Sequence, residues 1–417
     1  MKTDKIILGK NAEYSSDCCE TQLNNNIIVC GSSGCGKTRS VSESRLLETR
    51  NSSIVTAVSK KRLADEYAPV LKKRGYDIMT VDMADPESSG YAFDPLKFIR
   101  GSADVNMLAE SIVKAGKGTN RSVDEYWDQT AQSLLSAEIM YVMMTNKTAT
   151  FADVLDFHGK LTLRTANDNF SSNYDELFAE LEKQNPTCQA VRCWKTFSSV
   201  PMRTAGTIYS TLNTTLDRLF TPELKKLIAS KPCVDARRIA DRKTALFIIT
   251  SPVNPAANVF VNIFYSQLFK ELFEYAETKA GGVLPIPVHV LCDDFACGAA
   301  ISNFPEYISI FREKGISVTM LLQSESQLEA MYGANNAKTI INNSDTYIYM
   351  GGSDLATARN ISARLNVPLD EVLYMPLGRE VIFRRGSRPF ETERYDIREN
   401  ENYRELMQGR KELRSVG

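Results

Sequence analysis

Residues 24–38 read NNNIIVCGSSGCGKT. Ile27 to Cys30 is a short run rich in β-branched side chains, the turn after it is rich in glycine, and a helix-type stretch follows. Gly31-Ser32-Ser33-Gly34-Cys35-Gly36-Lys37-Thr38 matches G-x-x-x-x-G-K-[ST], with the strand before and the helix after that the pattern requires. In such a loop the glycines let backbone N–H groups converge on phosphate oxygens at the positive end of a helix. The lysine reaches the β- and γ-phosphates, and the hydroxyl of the last residue ligates Mg²⁺. The strand and helix context disfavours a chance glycine turn. Residues Gly31, Ser32, Ser33, Gly34, Cys35, Gly36, Lys37, Thr38 and Arg39 are therefore the expected nucleotide-binding set, with Thr38 a metal ligand. Cys35 carries two readings, a redox-responsive thiol beside Lys37 and a small side chain that the loop tolerates.

Outward from the loop, a second apolar run, Ser53 to Val58, follows one helix later, and a third, Ile78 to Val81, follows a helix that ends at Gly75. Repeated strand–helix–strand units imply a parallel sheet. From about Asp104 to Arg238 the period becomes helical, as in Trp127, Ala131, Leu134, Leu135, Glu138 and Ile139. The α/β pattern resumes at Ala245 to Thr250, with a helix from about Val259 to Glu277 and strands at Val288 to Cys292, Ser317 to Leu322, Thr346 to Met350 and Val381 to Phe383. The fold class read from this order is α/β, a mostly parallel central sheet with an inserted all-α domain. Residues 1–103 and 239–396 form the nucleotide-binding domain, 104–238 the insertion, and 397–417 a polar, solvated tail.

A phosphate loop alone leaves kinases, switches and motors open, so a second carboxylate site has to narrow the chemistry. Val288 to Cys292 is an apolar strand that ends in Asp293-Asp294. There the first acid holds the Mg²⁺ shell and the second orients or deprotonates water, unless the pair only caps the strand. Gln323 follows the strand Ser317 to Leu322 directly, so its amide emerges at the same sheet edge as Asp293 if the two strands are neighbours. It then senses the γ-phosphate, or it caps the helix that follows.

Composition excludes several classes. A chain of 417 residues exceeds the usual domain size of roughly 100 to 200, so two units or one core with a large insertion is expected. With 43% hydrophobic and 24% charged residues it is an ordinary globular chain, not a disordered or fibrous one. Fifty basic against 51 acidic residues give a net charge of −1, so no global basic field announces nucleic acid, and any such contact rests on local patches. Within the insertion, residues 104–182 hold six basic and 13 acidic residues while 183–238 hold ten basic and three acidic. The halves either pair with each other or present a basic surface to a ligand. Nine cysteines without a C-x-x-C pair, and only His158 and His289, argue for reduced thiols and against zinc. No apolar run approaches the roughly 20 residues of a membrane span, and residues 1–8 are no signal peptide, so a cytoplasmic chain without a direct membrane span is expected.

Several stretches in order resemble a known family: LNNNIIVCGSSGCGKTRS (Leu23 to Ser40), FDPL (Phe93 to Leu96), DEYWDQTAQSLL (Asp124 to Leu135), DDF (Asp293 to Phe295), FREKGISVTMLLQSESQLEAMYG (Phe311 to Gly333) and IINNSDTYIYMGG (Ile340 to Gly352). Over about residues 6–396 the chain resembles the TraG-like coupling proteins of conjugation and type IV secretion. The resemblance implies a RecA-like P-loop ATPase domain interrupted by an all-α domain, and a homo-hexameric ring that couples ATP hydrolysis to DNA movement toward a secretion channel. It implies ATP and Mg²⁺ as cofactors. Its partners would be single- or double-stranded DNA, relaxase or relaxosome proteins and type IV secretion channel components. On the family pattern Lys37 and Thr38 bind phosphate and Mg²⁺, Asp293 is the metal-shell acid, Asp294 the catalytic acid and Gln323 the sensor. Arg312 falls where the family has an arginine that reaches a neighbouring subunit's nucleotide, its plain alternative being a surface helix charge.

Three departures stand out. Asp294 replaces the family's usual glutamate, which leaves the acid one methylene short and hydrolysis slower. Val58-Ser59-Lys60 stands where Asp-Pro-Lys is usual. Typical members carry N-terminal membrane spans, whereas here the α/β pattern begins almost at Met1, so recruitment to the membrane would fall to a partner. The functional expectation is a soluble coupling ATPase for DNA or a relaxase–DNA substrate. The alternatives are a nucleotide-gated recruitment adaptor with weak turnover and an ATPase whose cargo is a protein effector.

Overall fold

The computed structural model describes residues 4–115, 125–164, 170–251, 255–295, 297, 300–404 and 406–407. Asp124 of the DEYWDQTAQSLL stretch, and residues 405 and 408–417 of the expected tail, lie outside them. The strands are β1 (Lys5–Gly9), β2 (Ala12–Ser15), β3 (Ile27–Cys30), β4 (Ser53–Val58), β5 (Asp77–Asp82), β6 (Thr244–Ile249), β7 (Val288–Cys292), β8 (Ile316–Leu322), β9 (Thr346–Tyr349), β10 (Arg379–Arg384) and β11 (Phe390–Glu393). By contact density the chain divides into two compact units. One comprises Met1–Thr80, Asp235–Pro252 and Phe269–Gly417, the other Val81–Val234 and Val253–Leu268.

The first unit is built on β3, whose four residues are all buried. A strand covered on both faces by helices loses the polar–apolar alternation, and IIVC, TALFII and VHVLC accordingly run almost wholly apolar, Thr244 and His289 excepted, with every residue buried. Each fully buried Ile or Val here contributes about 1.5 to 3 kcal/mol of transfer free energy. The nine-stranded sheet has the order β11-β10-β9-β3-β8-β7-β4-β6-β5. Pairs from β9 through β3, β8, β7 and β4 to β6 are parallel, while β10 runs antiparallel to both β9 and β11. Strands β1 and β2 form a separate antiparallel hairpin. The fold class is therefore the α/β one expected, with the sheet mostly parallel.

The order places β8 between β3 and β7, in register Ile27↔Thr319 on one side and Val288↔Ile316 on the other. His289 on β7 is fully buried and hydrogen-bonds Ser317 Oγ (2.6 Å) and Thr319 Oγ1 (3.0 Å). Burial holds it neutral, its proton affinity far below the usual imidazole range, so this histidine stitches two strands together and is no metal ligand. All nine cysteines are free.

The tail differs from expectation over its first residues. Ile397 is fully buried and Tyr403 is nearly so, both in a core cluster with Leu47, Tyr67 and Leu71, while Asn400 and Asn402 donate to Glu48 Oε1 at 2.8 and 3.2 Å. Two apolar side chains among many polar ones are too few to give a helical or strand period, which is why this anchoring is invisible in the sequence.

The second unit is built from helices, among them Ser102–Ala115, Glu125–Thr145, Phe151–Gly159, Gln189–Ser198 and Met202–Leu219. Its core is aromatic: Phe178 stacks on Trp194 at 4.5 Å and Phe151 lies 4.6 Å from Phe220. The FDPL stretch has a packing role here. Asp94 caps the turn Pro95–Phe98 by accepting from Leu96 N (3.1 Å), and it also accepts from Phe151 N (3.0 Å). Phe93 packs edge-on to Phe98, Phe260 and Phe264. His158 is buried against Glu138, Nδ1 to Oε2 at 2.8 Å. The opposite charges of the two halves meet within the unit, Lys195 with Glu182 and Lys225 with Asp156. Among the described residues Arg192 and Arg203 stand exposed without a carboxylate partner.

Candidate nucleotide-binding site

The loop Gly31 to Lys37 leaves the end of β3 and is tied to the strand ends on either side. Gly31 N donates to Leu322 O at the end of β8 (3.1 Å), and Ser32 N donates to Gly351 O just past β9 (2.9 Å). A Cβ on Gly31 would stand 3.1 Å from Gly351 O and 2.8 Å from Cys35 Sγ, so only glycine lets the loop leave the sheet here. Gly34 and Gly36 have φ of 77° and 94°, the left-handed region that turns successive N–H groups toward one point. Residues Thr38–Ser42 form a π-type turn that runs into the α-helix Glu43–Glu48, and the axis of this segment points its N-terminus at the loop. Lys37 Nζ donates to Gly31 O (2.5 Å) and Ser32 O (3.0 Å), so the lysine closes the loop on itself.

Cys35 is nearly buried and packs with Ile27, Val29, Leu321 and Met350. That contact is the one a small, tolerated side chain makes. Arg39 is exposed beside the loop.

The carboxylates arrive from β7. Thr38 Oγ1 donates to Asp293 Oδ2 at 3.0 Å, joining the start of the loop's helix to the strand one removed from β3. Burial first, and then the charge of Asp294, raises the proton affinity of Asp293 above the usual carboxylate range, with Thr38 and Lys37 working in the opposite direction. Asp294 is exposed and sits at φ 52°, a left-handed conformation that aspartate visits more readily than most residues. Gln323 stands exposed at the end of β8, next to β7 as the neighbour condition required. The helix Glu325–Tyr332 is capped by Ser324, which accepts from Gln327 N (3.3 Å), so Gln323 does not serve as its cap. Its Oε1 accepts only a long bond from Gln327 Nε2, 3.5 Å.

The oxygens of Thr38 and Asp293 are hard donors close enough to share one small dication, and a half-buried carboxylate with raised proton affinity is the group that a cation relieves. The residues present therefore fit Mg²⁺ at this place. Lys37, Thr38, Asp293, Asp294 and Gln323 gather at the ends of parallel strands, where open α/β sheets bind ligands.

A family model for type IV secretory system conjugative DNA transfer matches residues 3–366. The chain belongs to this family. Among solved structures it is similar to the plasmid coupling protein TrwB in complex with ADP and Mg²⁺, at TM-score 0.65 and 17% identity over 89% of this chain and 86% of that one. It is also similar to TrwB with a non-hydrolysable ATP analogue, at TM-score 0.64 and 15% identity over 89% and 85% of the two chains. VirB4 of Thermoanaerobacter pseudethanolicus matches at TM-score 0.59 and 13% identity over 96% and 98%. No curated protein matches the chain. At these identities the structural likeness establishes the P-loop NTPase fold of a conjugative coupling protein. No helix among the described residues is long and apolar enough to cross a membrane.

Arg312 does not join the site on its own chain. It lies at the end of the helix Phe304–Lys314, at the entry of β8, whereas Gln323 lies at its exit, roughly 23 Å away for a strand of this length. It is exposed, and its Nη2 donates to Cys18 O at 3.2 Å. Sequence reasoning missed Arg394, whose Nη1 would stand 3.2 Å from a Cβ on Gly36. It also missed Glu380, fully buried on β10 with neither carboxylate oxygen hydrogen-bonded. No local pattern marks either residue: Arg394 is brought to the loop by the chain just past the antiparallel hairpin β10–β11, and Glu380 is buried on β10 against Gly9 of β1.

Proposed function

We propose that this coupling-family chain is an ATPase that binds ATP with Mg²⁺ and uses hydrolysis to recruit and move DNA, or a relaxase–DNA substrate, toward a type IV secretion channel. The observation that carries the reading is the 3.0 Å contact between Thr38 and Asp293, which brings the phosphate loop and the second acid site together. The family match supports the cargo, and the TrwB complexes with ADP and Mg²⁺ and with an ATP analogue support the ligand.

In this reading Lys37 Nζ exchanges the carbonyls of Gly31 and Ser32 for β- and γ-phosphate oxygens, while the N–H groups of residues 34–38 hold the β-phosphate at the helix start. Thr38 and Asp293 would hold Mg²⁺, which when bound would supply neutralisation of phosphate charge. Asp294 takes a proton from the attacking water at its free carboxylate, and the Gln323 amide orients that water or the γ-phosphate. The partners are DNA, relaxosome proteins and channel components, and the active assembly is a homo-hexamer, a ring in which Arg312 serves the neighbouring site.

A second reading, a nucleotide-gated adaptor with little turnover, is favoured by Asp294, which is short, exposed and held at positive φ. Steady-state ATP hydrolysis and ATP binding, each with and without single-stranded DNA at low and high salt, separate the two. The motor reading expects turnover that rises with DNA at low salt and fades at high salt, and a loss of at least about 10²-fold in Lys37→Ala. ATP binding without turnover supports the adaptor. Turnover in Lys37→Ala equal to the parent's removes the loop from the mechanism.

A further inference from the structure

A cavity of about 730 Å³ opens between β9, β10 and the helices Ala334–Asn342 and Leu355–Leu365. Its volume falls within the range of small-molecule sites. None of the loop residues Gly31 to Thr38 lines it. The residues that each helix turns to the cavity recur at three- and four-residue steps, Lys338, Ile341 and Asn342 on the first and Asn360, Ala363 and Arg364 on the second. Ala337 and Ile340, and Ala358 and Ile361, are the buried residues that hold the two helices to the core.

Four cations and two carboxylates line the cavity, and both carboxylates are already engaged. Asp345 pairs with Arg385 Nε at 3.0 Å and accepts from Asn24 N at 2.6 Å, while the buried Glu325 accepts from Asn360 Nδ2 at 2.7 Å. Among the described residues Lys338, Arg364 and Arg384 have no carboxylate within ion-pair distance. The two arginines are held by rings: Arg364 lies over Phe383 (4.0 Å) and Tyr347 (4.6 Å), and Arg384 over Tyr14 (3.8 Å). A guanidinium stacked on a ring keeps its planar fork of N–H donors free at the edge, the geometry that grips phosphate oxygens in pairs. Tyr347 adds a hydroxyl buried in the cavity wall without a hydrogen-bond partner. Leaving such a group unpaired is costly, and a polar ligand atom removes the cost.

We propose that this cavity is a site for a small phosphorylated ligand, a phosphomonoester on a hydroxylated body, separate from the nucleotide held by the phosphate loop. The wall's surplus of two positive charges matches the charge of about −1.5 to −2 on a phosphomonoester near pH 7 and exceeds what a single carboxylate would neutralise. Arg364 and Lys338, one from each helix, take the phosphate oxygens. The amides of Asn342 and Asn360 and the hydroxyl of Tyr347 serve the hydroxylated body.

The test titrates the full chain calorimetrically with ribose 5-phosphate, using ribose as the control for the hydroxylated body and succinate as the control for a plain dianion. Ribose 5-phosphate is expected to bind with Kd of about 1 mM or below, and ribose and succinate at least about 10-fold more weakly. Arg364→Ala and, independently, Lys338→Glu should weaken the sugar phosphate about 10-fold, and Arg364→Lys should recover part of the loss. Lys37→Ala, which removes the cation of the phosphate loop, should leave it within about 2-fold. Lys338 is exposed on the other helix, so its variant keeps the fold even if Arg364→Ala does not. No binding of ribose 5-phosphate up to about 10 mM overturns the proposal, as does unchanged affinity in both cavity variants. Binding that Lys37→Ala abolishes places the probe on the loop and overturns it too, and succinate or ribose bound as tightly as the sugar phosphate removes the phosphate assignment.

Discussion

Thr38 and Asp293 are 255 positions apart and share one hydrogen bond. Asp293 is held in a place that favours its protonated form, and Asp294 next to it occupies a left-handed backbone conformation. Aspartate tolerates that conformation through local hydrogen bonding, and glutamate does so less well. Asp294→Glu therefore opposes two effects, a longer arm toward the attacking water and a strained turn. The expected outcome is faster ATP turnover together with a loss of up to about 1 kcal/mol in stability, read by steady-state kinetics and by urea melts. Asp294→Asn should lower turnover about 10²-fold or more and leave ATP affinity unchanged. Equal turnover in all three proteins would confine Asp294 to a structural role.

Strand β10 carries a titration that the expected motifs do not touch. Burial lifts the carboxyl of Glu380 from 4.5 to about 8, against the pull of Arg394. The folded chain thus holds this proton more tightly than the unfolded chain does. Its contribution is fully present below about pH 4.5, declines as pH rises because the unfolded state alone releases the proton, and is spent above about pH 8. Melting temperatures measured from about pH 5 to 9 should therefore fall more steeply in the parent than in Glu380→Gln, the variant gaining relative stability toward the alkaline end. Superimposable pH profiles would mean that the carboxyl finds a partner in solution. At the same scale the two halves of the helical unit show why net charge along a sequence is a poor guide to surfaces. Lys195 and Lys225 are engaged by Glu182 and Asp156, so much of the apparent basic patch is internal pairing.

At the scale of the whole molecule, the site is one-sided. Lys37, Thr38, Asp293, Asp294 and Gln323 share the strand ends, while Arg312 sits at the opposite end of β8. An arginine that far from its own loop can act on a phosphoryl group only through a second copy of the chain. An arginine supplied in trans is worth about 10³ to 10⁵ in rate in well-studied switches. Arg312→Ala should keep ATP affinity yet lose the rise in specific activity with protein concentration that the parent shows. Mixing Arg312→Ala with Lys37→Ala, each inactive alone, should restore part of the activity, because one subunit lends an intact loop and the other an intact arginine. A dead mixture in demonstrably mixed assemblies, or full activity in Arg312→Ala alone, would reduce Arg312 to the surface charge that donates to Cys18.

By itself the sequence determined the phosphate loop, the α/β class and the buried strands, with Ile27–Cys30, Ser53–Val58 and Val288–Cys292 readable to the residue. These features follow from local causes, since a loop that cradles phosphate needs glycines at fixed spacing and a doubly covered strand needs an unbroken apolar run. The strands β2 and β11, AEYS and FETE, escaped because strands of four residues with polar side chains among them carry no such run. Only the tertiary structure decided that β8 lies between β3 and β7, that Thr38 touches Asp293, that Ile397 and Tyr403 pin the start of the tail, and that Arg394 overhangs Gly36. Each of these joins segments far apart in the chain through the order in which strands pair. That order is selected by the burial of the whole sheet, and no window of neighbouring residues contains it.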